Sequence, residues 1–73
     1  MFGIGQAVKE MQDGKRVSRE GWNGKGMYLE LQVPDAHSKM TRPYVYLRTA
    51  GGDLIPWNCS QDDLLAVDWS ITA

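Results

Sequence analysis

Trp22 stands within Arg19-Glu20-Gly21-Trp22-Asn23-Gly24-Lys25-Gly26, an aromatic ring among glycines, cations and an amide. That grouping suits a ligand with rings and phosphates. The indole offers a flat face for a nucleobase, worth ~1–3 kcal/mol per base, while Arg19, Asn23 and Lys25 offer hydrogen-bond donors. The same residues also read as packing, because large aromatics at turns anchor small cores and subunit interfaces. Trp22, Trp57 and Trp69 share this ambiguity, with Trp69, inside a strand pattern, reading as core. Gly24-Lys25-Gly26 lacks the G-x-x-x-x-G-K-[ST] spacing of a phosphate-binding loop, so its glycines indicate a tight turn.

Catalytic chemistry finds no constellation. His37, the one histidine, lies in a loop between Pro34 and Pro43 with no serine or cysteine placed to pair with it, and reads as solvated. Cys59, the one cysteine, reads as a small half-buried residue beside Trp57. Asp62, Asp63 and Asp68 do not follow the spacing of a calcium loop, and their carboxylates suit a helix start and a strand edge. One Cys and one His cannot form a zinc tetrad or an intrachain disulfide. The chain therefore reads as a non-catalytic binding module, with no catalytic residue, metal or cofactor expected.

The elements that must position these residues are few. Ile4, Ala7, Val8 and Met11 recur at helical spacing, predicting an amphipathic helix over about 4–13, with Gly14 ending it. Ile4, Val8 and Met11 are its expected core residues. Phe2 opens the chain as a possible short strand, and Val17-Ser18-Arg19 starts another. From Met27 to Val33 the sequence alternates, with Met27, Leu29, Leu31 and Val33 on the inner face. Tyr44–Thr49 alternates likewise, Val45 and Leu47 pointing inward, and Leu54–Trp57 returns as its hairpin partner. Ser60 with Asp63 marks a helix N-terminus, Leu64, Leu65 and Ala66 giving its apolar contacts, and Asp68–Ile71 closes as a strand. The pattern predicts an α+β fold: an antiparallel sheet cradling one amphipathic helix, plus a short helix near the C-terminus.

With 73 residues the chain holds one domain, 1–73. A core of this size rarely supplies more than ~3–5 kcal/mol. Without disulfide or metal, self-association is the expected support. The net charge of −1 gives no general affinity for polyanions, so DNA and RNA are not expected partners. The charge is uneven, however: residues 1–48 hold eight basic and five acidic side chains, and residues 49–73 four acidic and none basic. This asymmetry reads as a solvated acidic turn, as patches meeting across a subunit interface, or as a basic part facing phosphate. No apolar run approaches a membrane span and no signal peptide is recognisable, and a lone thiol fits a reducing cytoplasm.

Several segments in order carry a resemblance. They are Arg19-x-Gly21-Trp22-Asn23-Gly24, then Tyr44-x-Tyr46-Leu47-Arg48-Thr49-Ala50-Gly51-Gly52, then Pro56-Trp57-x-x-Ser60-Gln61-x-Asp63-Leu64-Leu65-Ala66-x-Asp68-Trp69. Together they resemble the Thoeris anti-defence 2 family of small phage and prophage proteins over nearly the whole chain. The resemblance implies a sponge: a homotetramer, with pockets between protomers, that binds a nucleotide-derived immune signal and holds it uncleaved. Glycocyclic ADP-ribose is the notable ligand of that family, and some relatives bind cyclic dinucleotides. Carried over to this chain, Trp22 would stack a base and Arg19, Asn23 and Lys25 would reach phosphate or ribose. Trp57 would form a second plate, and Ser60, Gln61 and Asp63 would bond base or ribose hydroxyls. Asp63 reads alternatively as a helix cap. The segment 34–43 is shorter here than in several relatives, which bears on ligand identity if that segment lines their pockets.

Overall fold

The apolar spacing after Phe2 forms a helix over Ile4–Gln12, α1, in a computed structural model that describes residues 1–22 and 25–72. Its end follows from Gly14, at φ +87°, a conformation open to glycine. The Gly14 N–H donates to the Met11 carbonyl and the Lys15 N–H to the Glu10 carbonyl, both at 3.0 Å. That pair of bonds satisfies carbonyls a helix end leaves bare. Ala7 and Met11, four residues apart, are the helix's buried residues, and Ile4 packs half-buried beside them. Val8 does not belong to this stripe and is 40% exposed, contrary to expectation. A step of one residue turns about 100° around the helix, so seating Ala7 squarely on the sheet carries Val8 to the flank. The small Ala7 lets the helix approach closely.

Five strands follow: β1 Arg16–Arg19, β2 Tyr28–Gln32, β3 Tyr44–Arg48, β4 Leu54–Pro56 and β5 Trp69–Thr72, with a short helix α2, Gln61–Leu65, before the last. They form one sheet in the order β4-β3-β2-β1-β5, every pair antiparallel. The α+β class is thus as the sequence predicts. Register fixes the faces: Val17 lies opposite Leu29 and Ile71, Leu29 opposite Leu47, Leu31 opposite Val45, and Arg19 opposite Trp69. Directly opposed residues share a face, so these side chains form the inner face on which α1 rests. The core is Ala7, Met11, Val17, Leu29 and Trp69, with Phe2, Trp22, Leu31, Val45, Leu47, Trp57 and Ala66 packed around it. Phe2 forms an isolated antiparallel bridge with Trp69, closed by N–H···O bonds of 2.8 and 3.0 Å.

The other face carries Arg16, Ser18, Tyr28, Glu30, Tyr46 and Arg48, and neither helix lies on it. Glu30 is its centre: it accepts from Arg16 Nε at 3.2 Å and from the Tyr46 hydroxyl, while the Arg16 guanidinium sits 4.4 Å from the Tyr28 ring centre. Burial first, and then the bond to Glu30, push the Tyr46 hydroxyl up to about 12.

Three further expectations change. Val33 is exposed, because strand pairing stops at Gln32. Leu64 is exposed and Leu65 is 75% exposed, so α2 touches the core chiefly through Ala66 at its end. Cys59 is exposed rather than half-buried. Among the described residues no helix is long and apolar enough to cross a membrane.

Candidate functional site

Ser60 starts α2 in extended backbone and its hydroxyl accepts the Asp63 N–H at 3.1 Å. The cap is therefore Ser60's work, which frees the Asp63 side chain. Its Oδ1 accepts from Arg19 Nη1 at 2.8 Å and from Trp22 Nε1 at 3.2 Å, and the Asp63 carbonyl accepts from Trp69 Nε1 at 3.1 Å. Asp68 completes the cluster. Its Oδ1 accepts from Arg19 Nε and its Oδ2 from the Gly21 N–H, both at 2.8 Å. One arginine thus ties the β1 end to α2 and to the start of β5, and Asp68 fixes the backbone of the turn that presents Trp22.

Charge follows from this geometry. The bonds from Arg19 and the Gly21 N–H hold the Asp68 carboxyl below the usual carboxylate range. Burial works against ionisation of Asp63, but the donors Arg19 and Trp22 outweigh it, and its pKa is also lowered. Asp68, and then Asp63, raise the Arg19 pKa further above neutrality. A carboxyl whose folded pKa lies below its unfolded value of ~3.9 stabilises the fold fully above that value and loses the contribution as pH falls through the folded pKa. Melting temperature should therefore drop as pH falls below about 4. In Asp68→Asn the neutral-pH melting temperature should be lower and the acid drop shallower. Thermal melts of both proteins from neutral to strongly acid pH check this, and parallel curves would show that Asp68 is not part of the linkage.

Trp69 sits beneath the cluster. Trp22 meets it edge-on at 5.3 Å between ring centres and 81°, and Trp57 at 6.1 Å and 85°. Trp57 is held by its N–H on the Val45 carbonyl at 3.1 Å. Trp22 and Trp57 are both half-buried, and between them lies a cleft of about 290 Å³ that Asp63, Asn58 and Met27 also line. The structure thus brings together Arg19, Trp22, Trp57, Ser60 and Asp63. It does not join Gln61 or Lys25 to them: both are exposed and neither side chain lines the cleft. Asn23 lies outside the described residues.

Sequence reasoning missed the pairing of Arg19 with Asp68, whose partners are 49 residues apart and which no local pattern marks. It also missed Asn58 and Met27 as cleft residues. Asn58 follows Trp57 directly, and that adjacency was the available signal.

The arrangement can hold a planar ring between indoles and offer a carboxylate, an amide and backbone groups to its polar edge. Partial desolvation, and then the Asp63 charge, raise the pKa of the Cys59 thiol. Among the described residues no group of three or more His, Cys, Asp or Glu could hold a metal ion.

Fold and site together define a small α+β domain with an aromatic, acid-centred cleft at one end of its sheet. The family model of the Thoeris anti-defense 2-like domain matches residues 2–72, and the chain belongs to that family. It is 33% identical to Thoeris anti-defense 2 of Bacillus phage SP01 over an alignment of 83 positions, gaps included, covering 96% of this chain and 93% of the relative.

Proposed function

We propose that this protein is a phage or prophage immune-evasion protein that sequesters a nucleotide-derived bacterial defence signal in the host cytoplasm without cleaving it. The signal class is glycocyclic ADP-ribose or a cyclic dinucleotide. The observation that carries this reading is the cleft between Trp22 and Trp57 with Asp63 at its edge, found in a member of an anti-defence family. A base stacks on Trp22 and Trp57. Asp63 and Asn58 accept from and donate to its edge or to ribose, and Arg19, already fixed by two carboxylates, holds Trp22 and Asp63 in place rather than meeting the ligand as a free cation. Asn23 supplies a further donor toward ribose or phosphate, whereas Lys25 and Gln61, which do not line the cleft, are assigned no contact. In this reading the signal is bound and held without being cleaved.

The same reading includes a homo-oligomer, a tetramer. A core of five buried residues is small, and a groove of about 850 Å³ along β4 leaves Met40, Leu54 and Ile55 exposed beside Trp57. A second copy covering that groove would bury apolar surface and close the cleft's outer side. The groove also supports a second reading, a non-catalytic phage module that docks on another protein.

Native mass spectrometry with glycocyclic ADP-ribose separates these. A tetramer retaining ligand, which after denaturation yields the signal at its original mass, is the expected result. A recovered product of altered mass would make the protein an enzyme, and a bare protein at every ligand concentration would leave the docking module.

A further inference from the structure

We infer that Arg48, on the uncovered face of the sheet, anchors a phosphate or pyrophosphate group in a groove separate from the tryptophan cleft. In depth this rests on the proposed function, since the groove would take the phosphates of the same signal whose base lies in the cleft.

The cations of the sheet differ in what neutralises them. Arg16 pairs with Glu30 and Arg19 with Asp63 and Asp68, whereas none of the described carboxylates forms an ion pair with Arg48. Arg48 is nonetheless ordered in place. Its Nη1 donates to the Gly26 carbonyl at 2.9 Å and to the Thr49 carbonyl at 3.4 Å, and the residue as a whole is half-buried. Two turns are built around it. Gly26, at φ +77°, approaches so closely that a Cβ there would stand 2.7 Å from Nη1, and a Cβ on Gly52 would stand 3.6 Å from Nη2. Carbonyls satisfy part of the guanidinium's hydrogen-bonding capacity but carry no full charge to balance it. A fixed planar cation with remaining donors matches the oxygens of a phosphate.

The surroundings fit that ligand. Arg48 lies opposite Tyr28, and the pairing of Val17 with Leu29 sets Ser18 next to Tyr28 on the same face. With Thr72 they form a groove of about 370 Å³, whose hydroxyls can donate to an anion. Trp22 and Met27 line both this groove and the cleft between the tryptophans. One molecule with a base and a pyrophosphate could therefore occupy both, passing Trp22.

NMR titration of the full chain with inorganic pyrophosphate tests the anchor without a base present. Saturable shifts of the Gly26 and Thr49 amides and of the Arg48 Nε–H are expected. Arg48→Gln should weaken pyrophosphate binding about 10- to 100-fold, the loss of hydrogen bonds to a charged group, while Lys9→Gln, an exposed cation of α1 that lines none of the grooves, should bind as wild type does. Wild-type protein whose Arg48 Nε–H ignores pyrophosphate would overturn the inference, with no dependence on whether a variant folds. So would Arg48→Gln binding with undiminished affinity. A second titration, with cyclic ADP-ribose, separates the sources of the phosphate. Shifts at both Arg48 and the Trp57 indole support one ligand spanning both sites. Shifts at Arg48 alone keep the anion site but make it one for free oxyanions, against the proposed function. Shifts at Trp57 alone overturn the anchor and leave that function standing.

Discussion

Trp69→Ala is expected to leave the chain largely unfolded at 25 °C, with no sigmoidal melt and a collapsed near-ultraviolet circular dichroism spectrum. Trp69 is 0% exposed, the largest of the buried side chains. Its removal loses the transfer free energy of the indole and leaves a cavity, typically ~3–5 kcal/mol together. Two edge-on aromatic contacts go as well, with Trp22 and Trp57, and such pairs contribute ~0.5–1.5 kcal/mol each beyond their area. The Asp63 carbonyl also loses its donor. A core of this size supplies about as much as the substitution removes, so little stability remains. Trp69→Phe should restore a cooperative transition at a lower temperature, because a ring still fills part of the space. A native-like melt for Trp69→Ala would mean that the tryptophans pack against one another less tightly than their geometry requires, or that an oligomer carries the stability.

The fold was legible where periodicity and burial agree. In β2 and β3, inward Leu29, Leu31, Val45 and Leu47 alternate with outward polar or aromatic residues, and the observed register pairs them as that alternation demands. Helix α1 was legible in extent but not in rotation. Val8 and Ala7 are neighbours, both apolar, and only the approach distance to the sheet decides in favour of the smaller. Apolar type misled at Val33, Leu64 and Leu65, which lie at or beyond the ends of short elements where no layer faces them. At the site, the aromatic and acidic members were legible because their segments are rich in glycine, tryptophan and helix-start residues. Their roles were not. Arg19 reads in sequence as a cation free to meet phosphate, yet folding brings Asp63 and Asp68 to it from across the chain. Arg48, by contrast, looks like one outward residue of a strand, and only the positions of Gly26 and Gly52 show it as a fixed cation. Long-range pairing of charges is set by topology, and a sequence shows it only as composition.

Trp22→Ala is expected to weaken binding of glycocyclic ADP-ribose by about 5- to 150-fold, the equivalent of losing ~1–3 kcal/mol of base stacking. Trp22 differs from Trp69 in being only half-buried, and it borders two open grooves. It is not a free turn residue, however. Its Nε1 donates to Asp63 and its ring packs on Trp69, so the variant should also melt at a lower temperature, while still folding. That double role makes Trp22→Ala ambiguous by itself, because lost affinity follows equally from lost stacking and from a displaced Asp63. Trp22→Phe resolves it. Phenylalanine keeps an aromatic face toward the groove and a ring against Trp69, though a smaller one, and loses the N–H that Asp63 accepts. If stacking dominates, Trp22→Phe should bind within a few-fold of wild type and Trp22→Ala far more weakly. If the indole serves chiefly to aim the Asp63 carboxylate, both variants should weaken binding alike, and Asp63→Asn should match them. Isothermal titration of the three variants, each checked for folding by its melt, decides between the two. Trp22→Ala binding as tightly as wild type would move the stacking role to Trp57, which packs edge-on against Trp69 and keeps its place through the Val45 carbonyl whether or not Trp22 is present.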